Sequence, residues 1–169
     1  MNIDVAENID EYTYNKFSIY NTLVLSRISA VNISSNWRIL TIDTYDISLI
    51  YVELNSGKIY ITCNGRGEIH ILSNTGEIHI ESCNEIHIVQ NNGSIKCRKC
   101  NKCIIDDNQD LVEIDDARII DIQKNSGTME IAAGFSLIIA ENRGWVFGEW
   151  QNSAIEKNYG EIINDHEQN

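Results

Sequence analysis

Proline is absent from this 169-residue chain, and nowhere do the roughly 18 consecutive apolar residues of a membrane-crossing helix occur. The second absence excludes a transmembrane helix. The first, joined to abundant isoleucine, tilts the chain towards strands. Basic residues are scarce as well, 13 against 25 acidic ones, for a net charge of -12. Direct binding to nucleic acid or to an anionic membrane relies on a basic excess, so both classes fall away, and solubility or a basic protein partner fits instead. The acidic stretch Met1 to Asp10 holds no apolar core of signal-peptide length, and a cytoplasmic protein is expected. Cysteines number five, an odd count that points to free thiols rather than a disulfide framework. With 43% hydrophobic and 22% charged residues the chain has a globular rather than a disordered composition, and its length suits one domain.

What is present is a ladder of Asn-x-Gly triplets. Asn74, Asn91, Asn108, Asn125 and Asn142 are each 17 residues apart. Gly76, Gly93, Gly127 and Gly144 follow two residues behind four of them, and Asp110 takes that slot after Asn108. The frame extends to Asn55-Ser56-Gly57, 19 residues before Asn74, and to Asn158-Tyr159-Gly160, 16 after Asn142. Glycine at a recurring corner predicts a tight turn with positive φ. Asparagine beside it predicts side-chain amides hydrogen-bonded from one repeat to the next.

Two apolar series share this period, the first after an initial step of 19 from Ile59 to Ile78. Ile59, Ile78, Ile95, Val112, Met129 and Val146 form one, and Ile69, Ile86, Cys103, Ile120 and Leu137 the other. Between them the residues alternate, as in Glu77-Ile78-His79-Ile80-Glu81, so that isoleucines face one way and charges the other. The fold class predicted is all-β: a single-stranded parallel β-solenoid, or β-helix, whose equivalent strands stack about 4.8 Å apart into a rod of roughly 35 Å. One domain spans residues 1–169, with an N-terminal cap at 1–20, coils over 21–148, and a C-terminal cap with an acidic tail over 149–169. Tyr12, Tyr14, Phe17 and Ile19 carry the first cap, because a terminal unit must cover its own core. Leu25, Ile42 and Ile59, again 17 apart, place the early strands in the frame. At Trp145 and Phe147 the outward slots turn from charged to aromatic.

The G-x-I-x-I repeat at this period resembles bactofilin-type and adhesin-type bacterial β-solenoids over most of residues 38–148. The bactofilin resemblance implies end-to-end polymerisation, and with it a homo-oligomer through the coil ends.

Several groups of residues are candidates for chemistry. His70 and His87 are 17 apart and fall on one face, while His79 belongs to the other strand. Imidazoles so placed are candidate metal ligands, although histidines between strand glutamates are the simpler reading. Cys97, Cys100 and Cys103 form a C-x-x-C-x-x-C run that also offers metal ligands. The register favours core thiols: Cys97 takes the inward slot of Ile80 and Cys103 that of Ile86. Cys83 and Cys100 stack at one corner within disulfide range. Lys96, Arg98, Lys99 and Lys102 form the positive patch, expected to neutralise acids across strands. Asp106, Asp107, Asp110, Glu113, Asp115, Asp116 and Asp121 form the densest acidic zone. With Glu77 and Glu81 they are the expected partner-binding residues.

No catalytic residue and no cofactor is assigned. The expected function is that of an acidic protein-binding module, most concretely an inhibitor or immunity-type protein covering the basic, nucleic-acid-binding surface of a target. The alternatives are a self-assembling structural solenoid and, less favoured, a carbohydrate-active or metal-binding β-helix.

Overall fold

The computed structural model describes residues 3–7, 17–19, 22–26, 30–43, 49–64 and 66–165. The chain winds into a β-solenoid of about eight turns in which every strand pairing is parallel. Each coil contributes to two stacks. The first holds Ile3–Glu7, Thr22–Ser26, Ile39–Asp43, Lys58–Thr62 and Glu77–Glu81. The second holds Phe17–Ile19, Ala30–Asn36, Leu49–Asn55, Glu68–Asn74 and Glu85–Asn91. From Ser94 on, the strands Ser94–Asn108, Leu111–Asn125, Thr128–Asn142 and Trp145–Asn158 pass from one stack to the other without a break. Among the described residues no helix is long and apolar enough to cross a membrane.

Alternation within each strand sends two side chains inward per stack, and in-register pairing lines them into four columns. Leu40, Ile59, Ile78, Ile95, Val112, Met129 and Val146 make one, and Ile42, Ile61, Ile80, Cys97, Ile114 and Ile131 the next. Ile50, Ile69, Ile86, Cys103, Ile120 and Leu137 face them across the coil, beside Ile33, Val52, Ile71, Ile88, Ile105, Ile122 and Ile139. All are buried. A lone coil would leave this face wet; stacking makes one continuous core.

The early register differs from the expected one. Leu25 does pair with Ile42, but Ile42 pairs with Ile61 and Leu40 with Ile59, a step of 19 residues. The step from Ile59 to Ile78 is also 19, and its two extra residues fall between the stacks: five residues separate Thr62 from Glu68, and three separate Glu81 from Glu85. The residues expected to cap the ends are partly strand. Ile3–Glu7 and Phe17–Ile19 continue the two stacks, whereas Tyr12 and Tyr14 lie outside the described residues. At the other end Trp145–Asn158 and Glu161–Asn164 add one more turn, and residues 166–169 of the acidic tail lie outside the described residues.

The two corners of the coil work differently. At one, the asparagines form a buried file in which each Nδ2 donates to the Oδ1 of the next. The file runs Asn36, Asn55, Asn74, Asn91, Asn108, Asn125, Asn142 and Asn158, with spacings of 2.8 to 2.9 Å. Each Oδ1 from Asn55 to Asn91 also accepts the N–H two residues on. The glycines here do not adopt the positive φ expected of them; among the described residues Gly148 is the glycine that does. They are needed because coils meet backbone to backbone: a Cβ on Gly76 would stand 2.1 Å from the Gly57 carbonyl oxygen.

Positive φ belongs to the opposite corner, at Ser82 (58°), Lys99 (54°) and Asp116 (61°), one above another. An L-residue pays about 1–2 kcal/mol for that conformation. Lys99→Gly is therefore expected to raise the unfolding free energy by about 0.5–1 kcal/mol, part of the relief being lost to the freer unfolded chain. Urea denaturation checks it, and an unchanged or lower midpoint contradicts it.

Candidate functional site

The outward columns are set by the same register and carry the charges. Lys58 bonds Glu77 at 2.7 Å, Lys96 bonds Glu113, and Arg98 bonds Asp115 at 3.2 Å, each partner one coil away. Lys99 approaches Glu81 at 4.0 Å and Lys102 approaches Glu85 at 3.9 Å. On the second stack Asp107, Lys124, Glu141 and Lys157 alternate in sign up one column. Opposite charges directly across a ladder are favourable and like charges are not. In-register stacking would otherwise place identical charges about 4.8 Å apart. The bonded lysine holds the Glu77 carboxyl below the usual range, and Arg143 does the same for Glu141. The four bases predicted to neutralise neighbouring acids do so.

The nine expected partner-binding acids are not brought together. Glu77, Glu81, Glu113 and Asp115 lie on the first stack and are the ones held by Lys58, Lys99, Lys96 and Arg98. Asp106 lies on the second stack, 3.1 Å from His87 Nε2. Asp121 is on that stack too, bonded by Gln123, and Asp107 is bonded by Gln109. Asp110 sits at the asparagine corner and Asp116 at the opposite one. Residues 106–121 make up nearly one whole coil, so the acids among them are spread all round it.

The histidines fall where the register puts them. His70 and His87 neighbour each other, ring centroids 5.9 Å apart, and His79 stacks on Tyr60 on the other face at 5.1 Å. Among the described residues no three His, Cys, Asp or Glu side chains converge as metal ligands do. Cys97 and Cys103 occupy the slots of Ile80 and Ile86 and are fully buried. All five cysteines are free thiols in the core. Burial pushes the Cys63 thiol up to about 11.

The surface that stands apart is the last turn. Trp145 is 58% exposed and Tyr159 is 69% exposed. Phe147 lies two residues beyond Trp145 on the same strand face and pairs with the exposed Ile163. Tyr159 takes the middle position of the last Asn-x-Gly corner, and the Arg143 guanidinium lies 5.4 Å from its ring centroid. Within two residues of these side chains along the chain stand the acids Glu149, Glu161 and Asp165 and the bases Arg143 and Lys157, with Glu161 paired to Trp145. Sequence reasoning marked Trp145 and Phe147 but not Tyr159. Its position between Asn158 and Gly160 was the available signal, because the middle residue of each corner points to solvent.

No protein-family model, curated protein or solved structure matches this chain.

Proposed function

We propose that this protein is a non-catalytic binding module that docks a basic protein surface against its C-terminal turn. The observation that carries this reading is the exposed Trp145, Tyr159 and Ile163 of the last turn, with the half-buried Phe147 paired to Ile163 and with Glu149, Glu161 and Asp165 close by in the chain. Large aromatic side chains and arginine are the residues that dominate binding energy at protein interfaces. They are costly to leave in water unless something covers them. On the central coils the charges are largely spent on one another. The acidic excess of the whole chain steers a basic partner and sets orientation more than final affinity. The most concrete form of this reading is an inhibitor or immunity-type protein, acting in the cytoplasm, that masks a nucleic-acid-binding surface of an enzyme.

The purified chain is expected to inhibit a basic nuclease or nucleic-acid-modifying enzyme of its host, with inhibition falling as salt is raised, as screened charges require. A panel of such enzymes left fully active at low salt sinks the inhibitor form.

A second reading has its own observation. Residues 152–158 pair with the preceding turn, while Glu161–Asn164 covers only residues 145–148 above them. Among the described residues that leaves an open strand edge on which a second copy could add. Light scattering separates the two: a monodisperse monomer at high concentration removes self-assembly.

A further inference from the structure

The interior of the corner opposite the asparagine file is lined with sulfur. In the coil 94–108, Cys97 enters from the first stack, Cys103 from the second, and Cys100 from the corner between them. Cys83 occupies the same corner one coil earlier, and its Sγ lies 3.1 Å from that of Cys100, closer than unbonded sulfurs ordinarily approach, yet both are free thiols. Both are almost wholly buried, Cys83 2% and Cys100 3% exposed. Cys100 nonetheless borders an open hollow of about 640 Å³, lined also by Lys99, Asp116, Arg118, Gly134 and Phe135.

We propose that Cys100 and Cys83 are an oxidant-reactive pair that closes into an inter-coil disulfide, with hydrogen peroxide as the oxidant. Adjacent coils already hold the two sulfurs together, so the bond asks for about an ångström of approach and no change of register. The hollow lets a small peroxide come up against Cys100. The thiols of Cys83 and Cys97 act as hydrogen-bond donors to it and hold its pKa below that of a free thiol, while the same contacts and burial push Cys83 and Cys97 up. Cys100, the member of the pair that borders the hollow, is the attacking sulfur.

Its thiolate attacks one peroxide oxygen. The O–O bond breaks, and the leaving hydroxide takes the proton that Cys100 gave up, so that water departs and a sulfenic acid remains. The Cys83 sulfur then attacks the Cys100 sulfur. The S–O bond breaks, and a second water leaves with the Cys83 proton. Two thiols and one peroxide become one disulfide and two waters, and a dithiol reverses the change.

The test uses the intact chain in native buffer with hydrogen peroxide, followed by unfolding, thiol alkylation and peptide mapping. The free thiols are expected to fall from five to three, with Cys83 and Cys100 linked and with the midpoint of urea unfolding raised until dithiothreitol is added. Cys83→Ser and Cys100→Ser abolish the link; Cys63→Ala, which leaves the pair in place, keeps it. Circular dichroism confirms that each variant is folded, and the mapping of the unaltered chain decides by itself. Five thiols surviving, over-oxidation without a bond, or a bond between other cysteines overturns the proposal.

Discussion

Asn108→Ala is expected to lower the unfolding free energy by about 3–5 kcal/mol, since each buried polar group left without a partner costs on the order of 1–3 kcal/mol. Asn108 sits mid-file and fully buried. Its Oδ1 accepts from Asn91, and its Nδ2 donates to Asn125 Oδ1 at 2.8 Å and to the Asp110 carbonyl at 3.0 Å. Truncation strands the Asn91 amide on one side and the Asn125 carbonyl on the other, with a void between them. Asn158, the exposed last member, has one ladder bond, at 2.9 Å from Asn142. Asn158→Ala is expected to cost under about 1 kcal/mol, because water replaces what it gives up. Urea denaturation of both variants checks the pair. Equal losses would mean that the file contributes by packing and not by hydrogen bonding.

The second large effect is at the glycine file. Gly76→Ala places a methyl group where the Gly57 carbonyl oxygen lies 2.1 Å away and the Gly57 nitrogen 2.9 Å away. Neither neighbour is a side-chain tip that can swing aside, so two coils must part. The rung bonds around this corner, Glu77 N–H to Gly57 O and Ser94 N–H to Gly76 O, both 2.9 Å, are then at risk. The expected loss is about 3 kcal/mol, combining overpacking with a broken buried bond. Asp110 shows the same physics in the native chain. It holds the glycine slot above Gly93, and there the strand register begins at Ile95 with Val112. Elsewhere it begins one rung earlier, at Ser94 with Glu77 and at Leu111 with Thr128. A side chain in the slot is tolerated, and one rung of pairing is given up. Thermal and urea unfolding of Gly76→Ala check this, and a midpoint shift within error contradicts it.

The columns from Ile78 to Val146 were legible because a fixed period places inward residues independently of any other fact about the chain. The asparagine file was legible for the same reason, but its first member was not. Asn36 stands 19 residues before Asn55, the same step as Asn55 to Asn74, yet Arg38 fills the slot where glycine would have marked the corner. The early register was misjudged by assuming the later period of 17 for coils that take 19 residues. Corner chemistry was assigned to the wrong corner: glycine signals both backbone freedom and close approach, and composition does not distinguish the two. The acidic zone is dense along the chain but spread out in space. In a solenoid the spatial neighbours of a residue are one coil away, and a run as long as a coil spreads round the whole circumference. The ion-pair columns follow from that same rule and were legible where it was applied, at Lys96, Arg98, Lys99 and Lys102.

The most direct measurement is a quantitative affinity capture from the native host with three baits: the unaltered chain, the Trp145→Ala/Tyr159→Ala variant, and a variant with Asp106, Asp107, Asp115 and Asp116 reversed to lysine. Docking on the last turn predicts a basic protein recovered in stoichiometric amount by the unaltered chain, recovered with slower association by the charge-reversed bait, and lost from the aromatic-truncated one. Retention by the aromatic-truncated bait together with loss from the charge-reversed bait would place the interface on the central coils and contradict the proposal.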